Sequence, residues 1–438
     1  MKRVFLSAIG FAMICRTGYG QAKFANNYYR PAATIHAPAD TDTTGYKPRP
    51  LTIDEIDLTS SYYKQNGNHS AVTGGIGTEK VTDIANGLTL NMVWQNNPFK
   101  KNTLSLGFGF DYHTAASQAF VSATGASSPD GTRFYPSLDW TVENSKKGSS
   151  FGLGAYYSGE YNYQSLGTDI HWSQKTRDRN GEFSVKVQAY WDQVTLIYPS
   201  ELIPKTTTTT SNGTVIVTSA SGTTTVNGVT GGHGGKASIP TSPRNTYSAS
   251  FSYLQQINPR LQVMLLGDLV TQNGYLGLPF HRVYFTNGKD TVERLPSSRF
   301  KLPLGMRLNY FLGDNIILRS YYRYYMDNWG IRSNTVNIEV PVKLTPFFSI
   351  SPFYRFYNQS AAKYFAPYGV HKASDEYYTS NYEYSKFNSN FLGVGFRIAP
   401  PKGVLGWQNL HDLEIRYGHY TQTTDLVSDV VSINLGFK

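Results

Sequence analysis

The chain has 438 residues, is rich in Tyr (33), Phe (24) and Gly (40), and is only 16% charged, below the ~25% of an ordinary soluble domain. Its formal charge of +10, of which Lys2, Arg3 and Arg16 supply three, comes without a basic cluster bearing a nucleic-acid motif, so no nucleic-acid partner is expected. The only cysteine is Cys15, which excludes a disulfide framework and, if a leader is removed, thiolate chemistry and cysteine-ligated metal.

Lys2 and Arg3 precede an apolar run from Val4 to Ile14, and Gly18 and Gly20 offer small residues for cleavage before Gln21. That order is a secretory signal over residues 1–20, and the run is about half of the ~20 residues that a spanning helix needs. Ile14 does not suit the small position before a lipidated cysteine, so Cys15 is not read as a lipoprotein site. Residues 21–50 carry Pro31, Pro38, Pro48 and Pro50 and are expected to form a periplasmic tail.

From residue 51 to the end, apolar and polar residues alternate. Leu104, Leu106, Phe108, Phe110 and Tyr112 oppose Ser105, Gly107, Gly109 and Asp111. Phe183, Val185, Val187, Ala189 and Trp191 oppose Ser184, Lys186, Gln188 and Tyr190. Tyr247, Ala249, Phe251 and Tyr253 oppose a row of serines. Phe300, Leu302, Leu304, Met306, Leu308 and Tyr310 oppose Lys301, Arg307 and Asn309. Val336, Ile338, Val340, Val342 and Leu344 oppose Asn337, Glu339 and Lys343, and Val431, Ile433, Leu435 and Phe437 oppose Ser432, Asn434 and Gly436. Successive strand side chains point to opposite faces, and these runs exceed the ~5–6 residues of soluble strands.

Sixteen such segments begin near residues 51, 83, 103, 133, 150, 166, 182, 244, 260, 299, 315, 331, 346, 386, 409 and 427. Connections after even-numbered segments are short, as at Asn96-Asn97-Pro98, Asn258-Pro259 and Gly313-Asp314. Those after odd-numbered segments include the long stretches 66–82, 117–132, 197–243, 273–298 and 359–385, with short exceptions near Ser165 and Trp329. Short periplasmic turns, long outer loops and an even strand number define outer-membrane barrels, whereas a soluble sandwich has no reason to sort loop length by parity. The expectation is an all-β, transmembrane antiparallel β-barrel over 51–438 with both termini periplasmic. The insert 197–243, with its Thr206–Thr210 run and the glycines around His233, leaves eighteen strands open as an alternative to sixteen.

Six spaced motifs resemble the uncharacterised outer-membrane family catalogued as domain of unknown function 3570. They are Thr73-Gly74-Gly75-Ile76-Gly77-Thr78-Glu79, Asp111-Tyr112-His113-Thr114-Ala115-Ala116-Ser117, Ile197-Tyr198-Pro199-Ser200-Glu201-Leu202, Pro279-Phe280-His281-Arg282-Val283-Tyr284-Phe285, Arg319-Ser320-Tyr321-Tyr322-Arg323-Tyr324-Tyr325 and Ser351-Pro352-Phe353-Tyr354-Arg355. The likeness runs from about residue 50 to the C-terminus. It implies an outer-membrane barrel of bacteria of the Bacteroidota type and carries no established activity. Members look like genome neighbours of a flavin-attaching transferase, which points toward an envelope redox system. Such barrels commonly end on an aromatic residue, whereas here Lys438 follows Phe437.

In a barrel, the face opposite the lipid lines the lumen. That face collects Lys301, Arg307, Arg319, Arg323, Lys343, Arg355 and Arg397, with Glu339, Asp412 and Glu414 as acids, and Tyr321 and Tyr325 beside them. Such a strip either selects anions, as basic rings do, or pairs with those acids as wall structure. Glu79, Asp111 and His113 form a second candidate group, read as a hydrogen-bonded latch or as a carboxylate–imidazole site. Gly74-Gly75-Ile76-Gly77 lacks the Lys-Ser/Thr of a phosphate loop, and neither a Gly-x-Ser-x-Gly elbow nor a His-Glu-x-x-His motif occurs. His419 lies on the apolar face with Leu413, Ile415 and Tyr417 and reads as a girdle residue. The first functional expectation is therefore a non-enzymatic pore or binding channel for small, anionic solutes. The alternatives are a closed scaffold for a periplasmic or redox envelope complex, docked through 21–50, and an outer-membrane enzyme using Asp111 and His113. No cofactor or metal is assigned; the expected partners are outer-membrane lipid, the barrel assembly machinery and a periplasmic protein.

Overall fold

A computed structural model describes residues 46–114, 130–160, 162–199, 202, 207–211, 214–219, 222–227 and 240–438. The expected signal 1–20, nearly all of the expected tail 21–50, most of the stretch 117–132, His233 with its glycines, and Ala115 to Ser117 lie outside the described residues.

Sixteen strands form one closed antiparallel wall. They are β1 (Arg49–Asn66), β2 (Val81–Asn97), β3 (Lys100–Thr114), β4 (Asp130–Phe134 continuing as Ser137–Asn144), β5 (Ser149–Glu160), β6 (Tyr163–Lys175), β7 (Gly181–Thr195) and β8 (Thr241–Asn258). The second half comprises β9 (Leu261–Gly274), β10 (Ser298–Leu312), β11 (Ile316–Asp327), β12 (Arg332–Glu339 continuing as Val342–Thr345), β13 (Phe348–Gln359), β14 (Phe387–Ile398), β15 (Leu410–Gln422) and β16 (Val427–Phe437). Each strand pairs with its sequence neighbours, and β16 returns to β1 in register from Ile56↔Phe437 to Asn66↔Val427. Full closure leaves no edge strand, which is the condition for β-structure in lipid.

Both interruptions fall at proline, which cannot donate to the ladder. At Tyr135-Pro136 the wall holds because Tyr135 and Gly109 exchange backbone hydrogen bonds. At Val340-Pro341, Val340 N–H donates to the Pro352 carbonyl and Ile317 N–H to that of Pro341. The alternation expected through Val340 and Val342 is thus broken by proline, although both pieces stay in the sheet. Among the described residues, the insert after β7 contributes no wall strands. Thr207–Ser211, Thr214–Ser219 and Gly222–Asn227 make a separate three-stranded sheet, while β7 pairs directly with β8 from Thr195↔Thr241 to Gly181↔Gln255. That pairing decides for sixteen strands over eighteen.

The wall is apolar outside and polar inside. Phe108, Phe110, Leu166, Ile170, Val187, Leu265, Phe300, Leu304 and Leu392 are exposed, while Asp111, His113, Ser165, Asp169 and Lys186 on the same strands are buried. Water would not stabilise such a surface, because apolar area favours removal from water at roughly 25 cal/mol per Å². A hydrocarbon bath does. No helix among the described residues is long and apolar enough to cross a membrane, so the strands make the crossing. This is an outer-membrane β-barrel.

One end of the barrel, the turn end, carries short connections after even-numbered strands. The longest, 399–409, includes a fully exposed Leu405 at φ 53°. The loop end carries the connections after odd-numbered strands, among them 67–80, 275–297 and 360–386.

Candidate functional site: the capped lumen

Three long loops meet over the loop end. β1–β2 and β9–β10 stand half-way round a sixteen-stranded wall from each other, yet Arg282 Nη1 donates to the Val72 carbonyl at 2.6 Å. Contact between those two loops has to cross the barrel mouth. Val72, Leu278 and Phe280 form a small apolar cluster there. Loop 360–386 joins both. His69 stacks on Tyr382 with ring centroids 3.7 Å apart, and Arg294 and Tyr378 exchange backbone hydrogen bonds. Gly75, at φ 87°, sits where a Cβ would meet the Ser380 carbonyl at 2.6 Å, so glycine permits this approach of the loop backbones.

Glu293 ties the loops together. Its Oε1 accepts from Leu278 N–H at 2.7 Å and lies 3.2 Å from His281 Nδ1, while Oε2 accepts from the Thr379 hydroxyl at 2.7 Å. Gln65 and Gln359, at the ends of β1 and β13, donate to the backbone carbonyls of Glu79 and of Glu383 and Ser385. Burial pushes the Glu79 carboxyl up to about 7. Burial, reinforced by Glu79 and Glu293, pushes Glu383 up to about 8.

Directly below, the ends of β10 and β11 hold a cationic corner. Arg299 Nε donates to Asp327 Oδ2 at 2.9 Å, and its guanidinium lies 4.4 Å from the centre of the Trp329 ring. Trp329 is 1% exposed and its indole N–H donates to the Ser298 carbonyl at 3.0 Å. Asp327 also accepts from Tyr325 OH at 2.8 Å and from Ile331 N–H at 2.9 Å. Lys301 is the direct cross-strand partner of Asp327.

The predicted basic strip divides. Arg319 pairs with Glu339 at 3.2 Å, and Arg397 with Asp412 at 3.0 Å. Arg416, which the strip omitted, joins Glu339 at 3.2 Å to Glu414 at 2.9 Å. It lies across Gly395, where a Cβ would meet its Cγ at 3.3 Å. Arg307 and Arg355 lie against the rings of Tyr321 and Phe391, and Arg323 against Tyr325. Among the described residues, Lys301, Arg307 and Arg355 have no carboxylate within ion-pair distance. Lys343 is exposed at the turn end.

Asp111 and His113 are buried on the inner face, as their alternation implies, but they take partners from the wall. Asp111 accepts from Tyr135 OH at 2.6 Å, and His113 Nε2 lies 3.6 Å from Glu160 Oε1. Glu79 instead belongs to the cap: its backbone N–H donates to the Gly67 carbonyl, and Gln65 donates to its carbonyl.

A further cluster on β4 to β7 escaped the sequence reading. Asp169, 1% exposed, accepts from Tyr156 OH, contacts His171 Nδ1 at 2.9 Å and pairs with Lys186 at 3.1 Å. Ligand atoms of Asp139, Asp169 and His171 lie within 4.8 Å of one another. The Lys186 ammonium already neutralises Asp169, so the donor set describes a satisfied ion-pair network rather than a metal centre. Its signal was the parity that put Asp169, His171 and Lys186 on the inner face. Outside, His419 Nδ1 lies 2.8 Å from Asp429, which also accepts from Tyr417 OH at 2.7 Å.

Residues 110–429 match the family described as "Protein of unknown function (DUF3570)". The chain belongs to this family. No curated protein matches it in sequence. Among solved structures it is similar to OccK9 (OpdG) of Pseudomonas aeruginosa, at 9% identity and a TM-score of 0.40 over 89% of this chain and 98% of that one. It is similar also to a BenF-like porin from Pseudomonas fluorescens Pf-5, at 6% identity and 0.40 over 90% and 99%. CdiB from Acinetobacter baumannii aligns at 8% identity and 0.41, over 89% of this chain and 66% of CdiB.

Proposed function

We propose that this DUF3570 barrel is a gated pore or binding channel for small anionic solutes, with its loop end facing outward and both termini in the periplasm. The observation that supports this reading is the composition of the inner wall beneath the cap. Among the described residues, Lys301, Arg307 and Arg355 have no carboxylate within ion-pair distance, while Asp327, Glu339 and Asp412 are paired with Arg299, Arg319, Arg416 and Arg397. A sixteen-stranded barrel is wide enough for an aqueous channel, and uncompensated lysine and arginine in such a passage favour anions. Nothing in this role requires a bond to be made or broken.

The cap supports a second reading, a closed scaffold that binds a periplasmic partner through residues 21–50. Loops with a buried apolar centre and a satisfied Glu293 hub can seal a mouth as well as gate it. Planar-bilayer recording separates the two. Ohmic steps whose reversal potential in a KCl gradient shows anion preference are expected of the channel. Silence from correctly folded protein, together with loss of a co-purifying partner on deletion of 21–50, would favour the scaffold.

A further inference from the structure

We infer that Lys301 is the centre of a discrete anion-binding station on the inner wall just below the cap, one that takes a small oxyanion such as a carboxylate or phosphate. The inference rests on the channel reading for its biological use, but the binding itself does not require conduction.

The argument begins with register. Lys301 faces the lumen on β10, between the outward Phe300 and Leu302, and is paired across the sheet with Asp327 on β11 and Val270 on β9. Asp327 is the natural partner for the ammonium, yet its oxygens are already used. Arg299 donates to Oδ2 at 2.9 Å, Tyr325 OH donates to the same oxygen, and Ile331 N–H donates to Oδ1. Trp329 covers the Arg299 guanidinium and holds that pair in place. On the other side, Asp192 is engaged by Arg244 at 3.3 Å.

The principal charges around Lys301 are Arg299, Asp327, Arg244 and Arg323, three of them cations. Asp268 shares the inward face of β9 with Val270, the cross-strand partner of Lys301. Among the described residues, Lys301 has no carboxylate within ion-pair distance, whereas Arg299 and Arg244 do. An ammonium largely withdrawn from water and set beside guanidiniums carries a desolvation and electrostatic cost that a bound anion would offset. Its chemistry also fits: three rotatable N–H donors on a flexible stem can turn toward the oxygens of an oxyanion.

The test uses the full chain in detergent and inorganic phosphate as the probe, titrated calorimetrically at low ionic strength. Saturable binding is expected in the parent. It should weaken by about ten-fold or more in Lys301→Gln, because a charge-assisted hydrogen bond is lost, and persist in Lys301→Arg. Lys147→Gln, an exposed change at the turn end, should bind as the parent does. A heat-modifiability gel confirms folding, and Lys301→Met serves if the glutamine variant does not fold. No saturable phosphate binding in the parent, or equal affinity in a folded neutral variant, would overturn the station. Bilayer recording on the same samples separates this from the channel reading. A silent protein that binds phosphate through Lys301 removes the channel and keeps the station, whereas an anion-selective channel without saturable binding does the reverse.

Discussion

Raising the pH should loosen the cap. Glu79 and Glu383 are carboxyls held at about 7 and about 8 by burial, from an ordinary value of 4.5. The sign follows from which form the cap favours. A folded-state acid raised above its unfolded value binds a proton that the opened state has released. Its stabilisation is therefore complete below about 4.5 and is lost as pH rises through 7 and then 8. At about 1.4 kcal/mol per pH unit, Glu79 and Glu383 contribute upper limits of about 3 and about 5 kcal/mol. Because Glu383 is raised partly by Glu79 and Glu293, the two do not add. A few kcal/mol between pH 5 and pH 9 is enough to move a loop assembly from closed to largely open. Hydrogen exchange of the loop amides, read by mass spectrometry with correction for intrinsic base catalysis, should show protection of 67–80 and 360–386 falling over that range. Glu383→Gln should shrink the response to the share that Glu79 carries and leave more protection at pH 9 than in the parent. Equal protection at both pH values, or a glutamine variant that tracks the parent, would refute the reasoning.

Three further outcomes follow from the wall and its ends. Trp329→Ala should destabilise the barrel's loop end by about 3–5 kcal/mol, the usual cost of truncating a buried aromatic, seen as a lower temperature in a heat-modifiability series; an unchanged transition would mean that Arg299 and Asp327 hold the corner without it. Asp169→Asn strands Lys186 beside a neutral amide and should cost about 3–5 kcal/mol, whereas the Asp169→Asn/Lys186→Met pair should recover much of the loss in denaturant unfolding. Gly109→Val would drive a side chain into the Tyr135 ring and should cost about 1–3 kcal/mol; adding Tyr135→Ala should relieve it.

The wall was legible because its signal is redundant. A period of two repeated in sixteen segments, with connections sorted by parity, gives each strand several independent markers of its position. The same parity puts Asp111, His113 and Lys301 on the face opposite the lipid. What lay beyond it was any contact set by loop path. Loops carry no period, so nothing in Glu79 announced that it would join Glu383 and Glu293 rather than Asp111. Pairing on the wall was half legible: Glu339 and Asp412 were identified as acids for the basic strip, but Arg416 was overlooked and its reach across Gly395 to Glu339 is a matter of side-chain path. The Asp169–His171–Lys186 cluster could have been found by scanning the inner parity of β6 and β7 for opposite charges on facing strands.

The seam between β1 and β16 has a consequence for assembly. Thr59 donates a hydrogen bond to Asn434 at 2.7 Å, a contact that spans 375 positions of chain. Such a contact cannot form until nearly all the intervening strands exist, and closure entropy makes non-local pairing slow. Throughout that interval β1 and the latest strand both present open ladders of N–H and C=O groups, a template for any passing strand. The finished barrel therefore owes its insulation from other chains to its last step, and whatever escorts it to the membrane has two edges to guard until then.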